Sequence, residues 1–141
     1  DSLAQHLETF LLARKGGVTY YALPPELNYL AITPEDQPCM IPLPPEFMVI
    51  AGFDSKGLAA RTTMAPLAHI EFTWVREDLR NGRVALQIVR ELETAVASSG
   101  RTHVIAFAHD EQPEMADYLS RIGYKQMQVT VWEKDLTTKE E

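Results

Sequence analysis

The stretch LRNGRVALQIVREL, residues 79 to 92, sets a bend-forming Asn81-Gly82 pair between two arginines and follows it with an apolar stripe. Val84, Ala85, Ile88, Val89, Leu92, Ala95 and Val96 recur at helical spacing until Ser98, Ser99 and Gly100 end the run, which predicts a helix. The first turn of any α-helix carries N–H groups with no intrahelical partner and the positive end of the macrodipole. A loop that aims those groups outward is a site for an anion. Taken alone the string is an ordinary helix start, and its neighbours must decide between the two readings.

Upstream, HIEFTWV at 69 to 75 alternates as a strand, with His69, Glu71 and Thr73 expected on one face and Ile70, Phe72 and Trp74 on the other. Before it, FMVIAGFD, SKG and LAARTTMA over 47 to 65 predict a hairpin with Gly57 in its turn. VTYYAL at 18 to 23 predicts a short strand. Residues 2 to 14 place Leu3, Leu7, Phe10 and Leu11 on one helical stripe, which Gly16 and Gly17 are expected to stop. Seven of the nine prolines fall between Pro24 and Pro45, which predicts a long extended loop packed on the domain.

Downstream, THVIAFA at 102 to 108 is nearly all apolar, as expected of a strand covered on both faces and paired in parallel after a crossover helix. Pro113 suits the first turn of a further helix, with Met115, Leu119 and Ile122 as its stripe and Gly123 as its stop. YKQMQVTVW, 124 to 132, alternates again and predicts a half-buried closing strand.

At 141 residues the chain suits one domain that buries about two-thirds of its unfolded surface. A net charge of -7 argues against binding nucleic acid through its phosphates, which relies on a basic face. Yet four of the eight arginines, Arg76, Arg80, Arg83 and Arg90, lie within fifteen residues, which suggests a small anionic ligand at that segment. No apolar run approaches the roughly 20 residues of a bilayer crossing, so no membrane partner is expected. Cys39 is the only cysteine and the four histidines are scattered, which gives no disulfide, zinc or hydrolase pattern and a mild preference for a cytoplasmic protein.

Hairpin, strand, Gly-containing loop, helix, buried strand, short helix and final strand over about 47 to 136 resemble the GCN5-related N-acetyltransferase (GNAT) superfamily. Arg80-Asn81-Gly82-Arg83-Val84-Ala85 resembles its Arg/Gln-x-x-Gly-x-Gly/Ala loop, and Tyr118-Leu119-Ser120-Arg121-Ile122-Gly123-Tyr124 its Phe-Tyr-x-x-Leu-Gly-Phe segment. The resemblance implies a single α/β (α+β) domain over 1 to 141. Its core, 47 to 136, would be a mixed twisted sheet of about five to six strands with helices on both faces, behind a variable N-terminal part, 1 to 46. It implies acetyl-CoA as cosubstrate and no metal. Val75, Arg80, Asn81, Gly82, Arg83, Val84, Ala85 and Gln112 would bind the cosubstrate, and a primary amine of a small molecule or protein would be the acceptor.

Ala68-His69-Ile70-Glu71-Phe72 resembles the family's Ala-Glu-Ile-Val-Phe, with His69 at the place of the catalytic base. An imidazole suits that task, since its unperturbed pKa of about 6.5 is near neutrality, and Glu71 could serve instead. The family's tyrosine acid aligns with Leu119. Tyr118 is the neighbouring phenol, about 100° away around a helix. Arg83 stands where the family has its middle glycine, so the loop is re-bent, or the arginine contacts phosphate, or it fills the site. With no room for the family's extra C-terminal strand, a second copy of the chain could complete the sheet. The second reading of the same resemblance is a catalytically degenerate binding or structural protein, since fold does not certify chemistry.

Overall fold

The computed structural model describes residues 2–36, 48–65, 69–108 and 113–137, with the side chains of His69, Glu71 and Phe72 outside that description. The chain divides into two compact units, Asp1–Phe107 and Ala108–Glu141. The first contains a five-stranded antiparallel sheet in the order β1-β2-β3-β4-β5. Its strands are β1 (Leu11–Lys15), β2 (Val18–Leu23), β3 (Met48–Asp54), β4 (Gly57–Ala65) and β5 (His69–Val75).

Helix α1 covers only Ser2–Glu8. The stripe read through residue 14 breaks where the amide of Phe10 bonds Leu7 O, and Thr9 bonds His6 O through both its amide and its hydroxyl. Leu11 onward then pairs with β2, Lys15 lying opposite Val18. Gly16 and Gly17, expected to stop a helix, are instead the two-residue turn of this hairpin. Both have positive φ, 63° and 80°, as a turn that matches strand twist requires.

The expected hairpin forms as β3 and β4, its turn held by the Lys56 amide on Asp54 Oδ1 at 2.9 Å. Within the proline-rich stretch, Pro25–Ala31 is a 3-10 helix that begins on Pro at N1. The rest of that stretch from residue 37, including Cys39, lies outside the described residues.

Helix α2 runs Arg83–Ser98, and its stripe buries Ile88, Val89, Leu92 and Val96. It covers one face of the sheet. Glu91 of α2 acts on the buried Tyr20, whose phenol pKa is raised first by burial and then by that carboxylate. Cross-strand register runs Tyr20, Gly52, Ala60, Val75 on this face. The opposite face carries Leu23, Val49 and Ala51, packed with Leu27 and Ala31 of the 3-10 helix and flanked by Leu7 and Phe10. Helical elements therefore lie on both faces of an α+β sheet, as the sequence implied.

One ion pair fastens that second face. Arg61, 1% exposed, donates to both carboxylate oxygens of Asp36 at 2.6 and 2.8 Å and to Ala31 O at 2.9 Å. Three bonds from one guanidinium hold the end of the 3-10 helix segment against β4.

Two strand expectations are corrected. Of residues 102 to 108, only Ile105 forms a bridge, and the half-buried Val104, Ile105 and Ala106 give way to Phe107 at 57% exposure. A strand is covered on both faces only when a ladder holds it within a sheet, and among the described residues the bond between sheet and segment is Ile70 N–H to Ile105 O at 2.7 Å. In the second unit α3 (Pro113–Arg121) forms as expected. Residues 124 to 135 have no regular structure, and Met127, Val129, Val131 and Trp132 are exposed. Alternation does not make a strand without a neighbouring backbone to pair with.

Candidate functional site

The site begins where β5 ends. Val75 is buried, opposite Ala60, and the chain then makes a 3-10 turn over Glu77–Leu79 before the loop that opens α2. Arg76 fixes this turn. Its guanidinium bonds both oxygens of Asp54 at 2.9 and 2.5 Å, Asp78 Oδ1 at 2.6 Å and Leu58 O at 3.2 Å. The bonds to Arg76 outweigh burial and hold the Asp54 and Asp78 carboxyls below their ordinary value.

Gly82 caps α2 with φ 90° and ψ -23°, in the left-handed region. A β-carbon there would meet nothing within 4 Å, so the glycine is required by backbone conformation and not by crowding. The turn therefore falls at Gly82, one residue before Arg83 opens the helix. Arg83 follows in helical conformation with an exposed side chain, so it does not pack into the helix end.

The amides of the loop are partly used. Asn81 N–H bonds Leu79 O at 2.9 Å, Leu86 N–H bonds Gly82 O at 3.1 Å, and Arg83 N–H bonds Asn81 Oδ1 at 3.1 Å. The asparagine side chain thus supplies one oxygen acceptor at the helix N-terminus, where an anion would supply another. Val84 and Ala85 N–H occupy the first turn, where an α-helix offers no partner of its own. Arg80 is exposed, with its Nε donating to Val75 O at 2.6 Å.

β5 is also irregular at its middle. Thr63 pairs with Phe72 and Met64 with Ile70, so Glu71 is one extra residue against β4. Such bulges bend a strand and recur beside active sites. The unbroken alternation that would put His69, Glu71 and Thr73 on one face is therefore interrupted. Beyond the bulge, Thr62 and Thr73 do share a face, with hydroxyl oxygens 2.8 Å apart.

Val75, Arg80, Asn81, Gly82, Arg83, Val84 and Ala85 thus come together in one turn of chain. His69 lies at the other end of the same strand, about 20 Å away by strand rise. The side chains of His69 and Glu71, and the whole of Gln112, lie outside the described residues. Tyr118 is half-buried on α3 of the second unit, with Leu119 beside it. Sequence reasoning missed Arg76 and Asp54 as the clamp of the loop, because the partners are 22 residues apart. Among the described residues no group of three or more metal-ligating side chains exists. A hollow of about 270 Å³ is lined by Arg14, Lys15, Gly16, Gly17, Val18 and Thr19, on the sheet edge opposite β5. It gathers no acid-base or nucleophilic group beyond basic side chains and one threonine, so the α2 loop is the stronger site.

The fold is that of the GNAT acetyltransferases. An integron cassette protein of V. cholerae is similar with a TM-score of 0.65 and 12% identity, over 86% of this chain and 93% of its own. An aminoglycoside antibiotic 6'-N-acetyltransferase from Acinetobacter baumannii is similar with a TM-score of 0.63 and 12% identity, over 84% of this chain and 98% of its own. A ribosomal-protein-alanine N-acetyltransferase from Brucella melitensis is similar with a TM-score of 0.63 and 9% identity, over 85% of this chain and 100% of its own. No protein-family model and no curated protein matches the sequence, so the likeness is one of fold.

Proposed function

We propose that the protein is an acetyl-CoA-dependent N-acetyltransferase that acetylates a primary amine of a small molecule or protein. The observation that carries the reading is the junction of β5 with α2. A bulged strand ends at Val75, and the exposed Arg80 guanidinium and the first-turn amides of α2 follow directly. These groups fit a diphosphate, which helix N-termini and guanidinium forks both favour. Acetyl-CoA would supply the thioester. Arg80 and the amides of Val84 and Ala85 would bind the diphosphate, with Arg83 and Asn81 at its margin.

The arm of the cosubstrate would lie along β5, whose edge toward Val75 carries no ladder beyond the Ile70–Ile105 bond among the described residues. His69 or Glu71 would take the proton from the acceptor ammonium, which frees the lone pair that attacks the thioester carbon. The departing thiolate would take its proton from water. The reading carries with it a cytoplasmic protein and leaves room for a second copy to complete the sheet. No helix among the described residues is long and apolar enough to cross a membrane.

Thermal denaturation with acetyl-CoA tests the reading. A ligand at 100 times its Kd should add roughly 2.7 kcal/mol of stability, and Arg80→Ala should remove the gain. Thioester consumption on a panel of primary amines tests the chemistry. The second reading, a binding or structural protein on the same fold, is favoured by Leu119 at the family's tyrosine position and by the Asn81 oxygen already on the Arg83 amide. Binding without turnover on any amine would select it.

A further inference from the structure

A guanidinium carries five N–H donors, and in Arg76 each of them has an acceptor. Nε–H bonds Asp78 Oδ1 at 2.6 Å. The Nη1 pair bonds Asp54 Oδ1 at 2.9 Å and Leu58 O at 3.2 Å, and the Nη2 pair bonds Asp54 Oδ2 at 2.5 Å and Asp78 Oδ2 at 3.2 Å. Arg76 therefore has no donor left for a phosphate, although it belongs to the same basic segment as Arg80. Its acceptors lie on two pieces of chain. Asp54 ends β3 and Leu58 is in β4, while Asp78 is in the 3-10 turn that leads to the α2 loop. The Arg76 amide adds a bond to Ala59 O at 2.7 Å, and Lys56 Nζ lies 3.7 Å from Asp78 Oδ2. From this turn the path to the helix end is short, since Arg80 N–H bonds Glu77 O at 3.3 Å and Asn81 N–H bonds Leu79 O at 2.9 Å.

Resting on the reading of that loop as the acetyl-CoA site, we propose that Asp54 and Arg76 are positioning residues for the cosubstrate. They hold the 3-10 turn against the β3–β4 hairpin and so keep the loop in its binding shape before acetyl-CoA arrives. A two-pronged guanidinium–carboxylate fork fixes direction as well as distance. This one is also sheltered, with the Arg76 and Asp54 side chains 21% and 17% exposed, unlike the open surface pairs that contribute little. A ligand that meets a loop already ordered avoids the cost of ordering it. Asp54, Asp78, Arg76 and Lys56 carry two charges of each sign, so the cluster acts on an anionic ligand through the loop's shape and not through net charge.

Calorimetric titration with acetyl-CoA of full-length wild type, Asp54→Asn, Arg76→Gln and the double variant tests this, each chain first shown to be folded by its melting curve. Charge alone predicts that loss of the Asp54 carboxylate tightens the binding of an anion. Positioning predicts the opposite sign. Asp54→Asn should weaken acetyl-CoA binding about tenfold, the effect of a freed loop that holds its binding shape about a tenth of the time. Arg76→Gln should weaken it at least as much, and adding Asp54→Asn to Arg76→Gln should change nothing further, because the two residues act as one unit. In turnover the loss should fall on the KM for acetyl-CoA and leave the KM of the amine unmoved. If Asp54→Asn does not fold, Asp78→Asn applies the same test of sign. Binding by wild type that the aspartate variant equals or exceeds overturns the inference and leaves the transferase reading standing. Absence of both acetyl-CoA binding and turnover in wild type overturns the transferase reading itself, and this inference with it.

Discussion

Arg80 Nε donates to the carbonyl oxygen of Val75 at 2.6 Å, so the end of β5 and the start of the α2 loop are tied by one side chain. The bond uses the Nε edge of the guanidinium and leaves its terminal nitrogens as further donors in a fixed plane. An arginine so oriented loses less freedom when it bonds an oxyanion. Arg80→Lys keeps the charge but cannot make both contacts with one planar group. We expect a loss of about 1.5–3 kcal/mol in acetyl-CoA binding, the range for a charged hydrogen bond, measured by calorimetric titration. Equal affinity in the lysine variant would mean that only charge matters at this position.

The Arg61–Asp36 pair makes a prediction about stability. Both side chains are almost fully buried, at 1% and 2% exposure. Removing one partner strands the other charge, so Asp36→Asn should cost about 3–5 kcal/mol. Replacing both with apolar residues of similar volume should recover most of that loss. Urea denaturation of Asp36→Asn and of the double variant measures both effects.

The same carboxylate predicts a pH dependence. Burial pushes the Asp36 pKa up, but the Arg61 bonds and the Thr33 amide together outweigh it, and the net pKa is lowered. A lowered native pKa means that the unfolded state binds the proton more readily. The stabilisation is therefore complete above the unfolded-state aspartate pKa and is lost as pH falls through the native one. Denaturation midpoints between neutral and strongly acidic pH should show this acid limb, and a variant lacking both partners should show a shallower one.

Much of this architecture was legible because it is local. The hairpin of β3 and β4, the strand at 69 to 75, α2 and α3 follow from periodicity and from turn or cap residues within a few positions. β1 was not legible, since Leu11 and Phe10 continue a helical stripe from Leu3 and Leu7 while also suiting a strand. Only the pairing of Lys15 with Val18 and its neighbours decides, and pairing is invisible to a helical count. The Glu71 bulge was hidden for the same reason, because it exists only relative to β4. The loop at 80 to 85 was legible as the start of α2, but Arg61 with Asp36 and Arg76 with Asp54 join residues 25 and 22 apart and left no motif.

Gly82 separates the loop's shape from its packing. With φ at 90° and open space at the β-carbon position, any other residue meets only the cost of left-handed backbone. Gly82→Ala should lower stability by about 1–2 kcal/mol, whereas Gly82→Asn should lower it less, since asparagine tolerates this region. If the loop holds an anion, the alanine variant should also weaken acetyl-CoA binding, because the amides of Val84 and Ala85 are aimed by this residue. Melting curves with and without acetyl-CoA separate the two effects. A stability loss with undiminished ligand shift would show that the loop's shape and its binding are independent.

The assignment of the base rests on His69 and Glu71, which sit on either side of Ile70 at the bulge of β5. If His69 is the base, His69→Ala should lower kcat/KM by about 10²–10⁴-fold, the usual contribution of general-base catalysis. Glu71→Gln should then change the rate far less. If Glu71 is the base, the two outcomes exchange. The pH profile adds a check that a structural role would not meet. An imidazole base titrates near its unperturbed value of about 6.5, so the acid limb of kcat/KM should disappear in His69→Ala while residual activity becomes flat across that range. An unchanged rate and an unchanged acid limb in His69→Ala would remove the histidine from the chemistry.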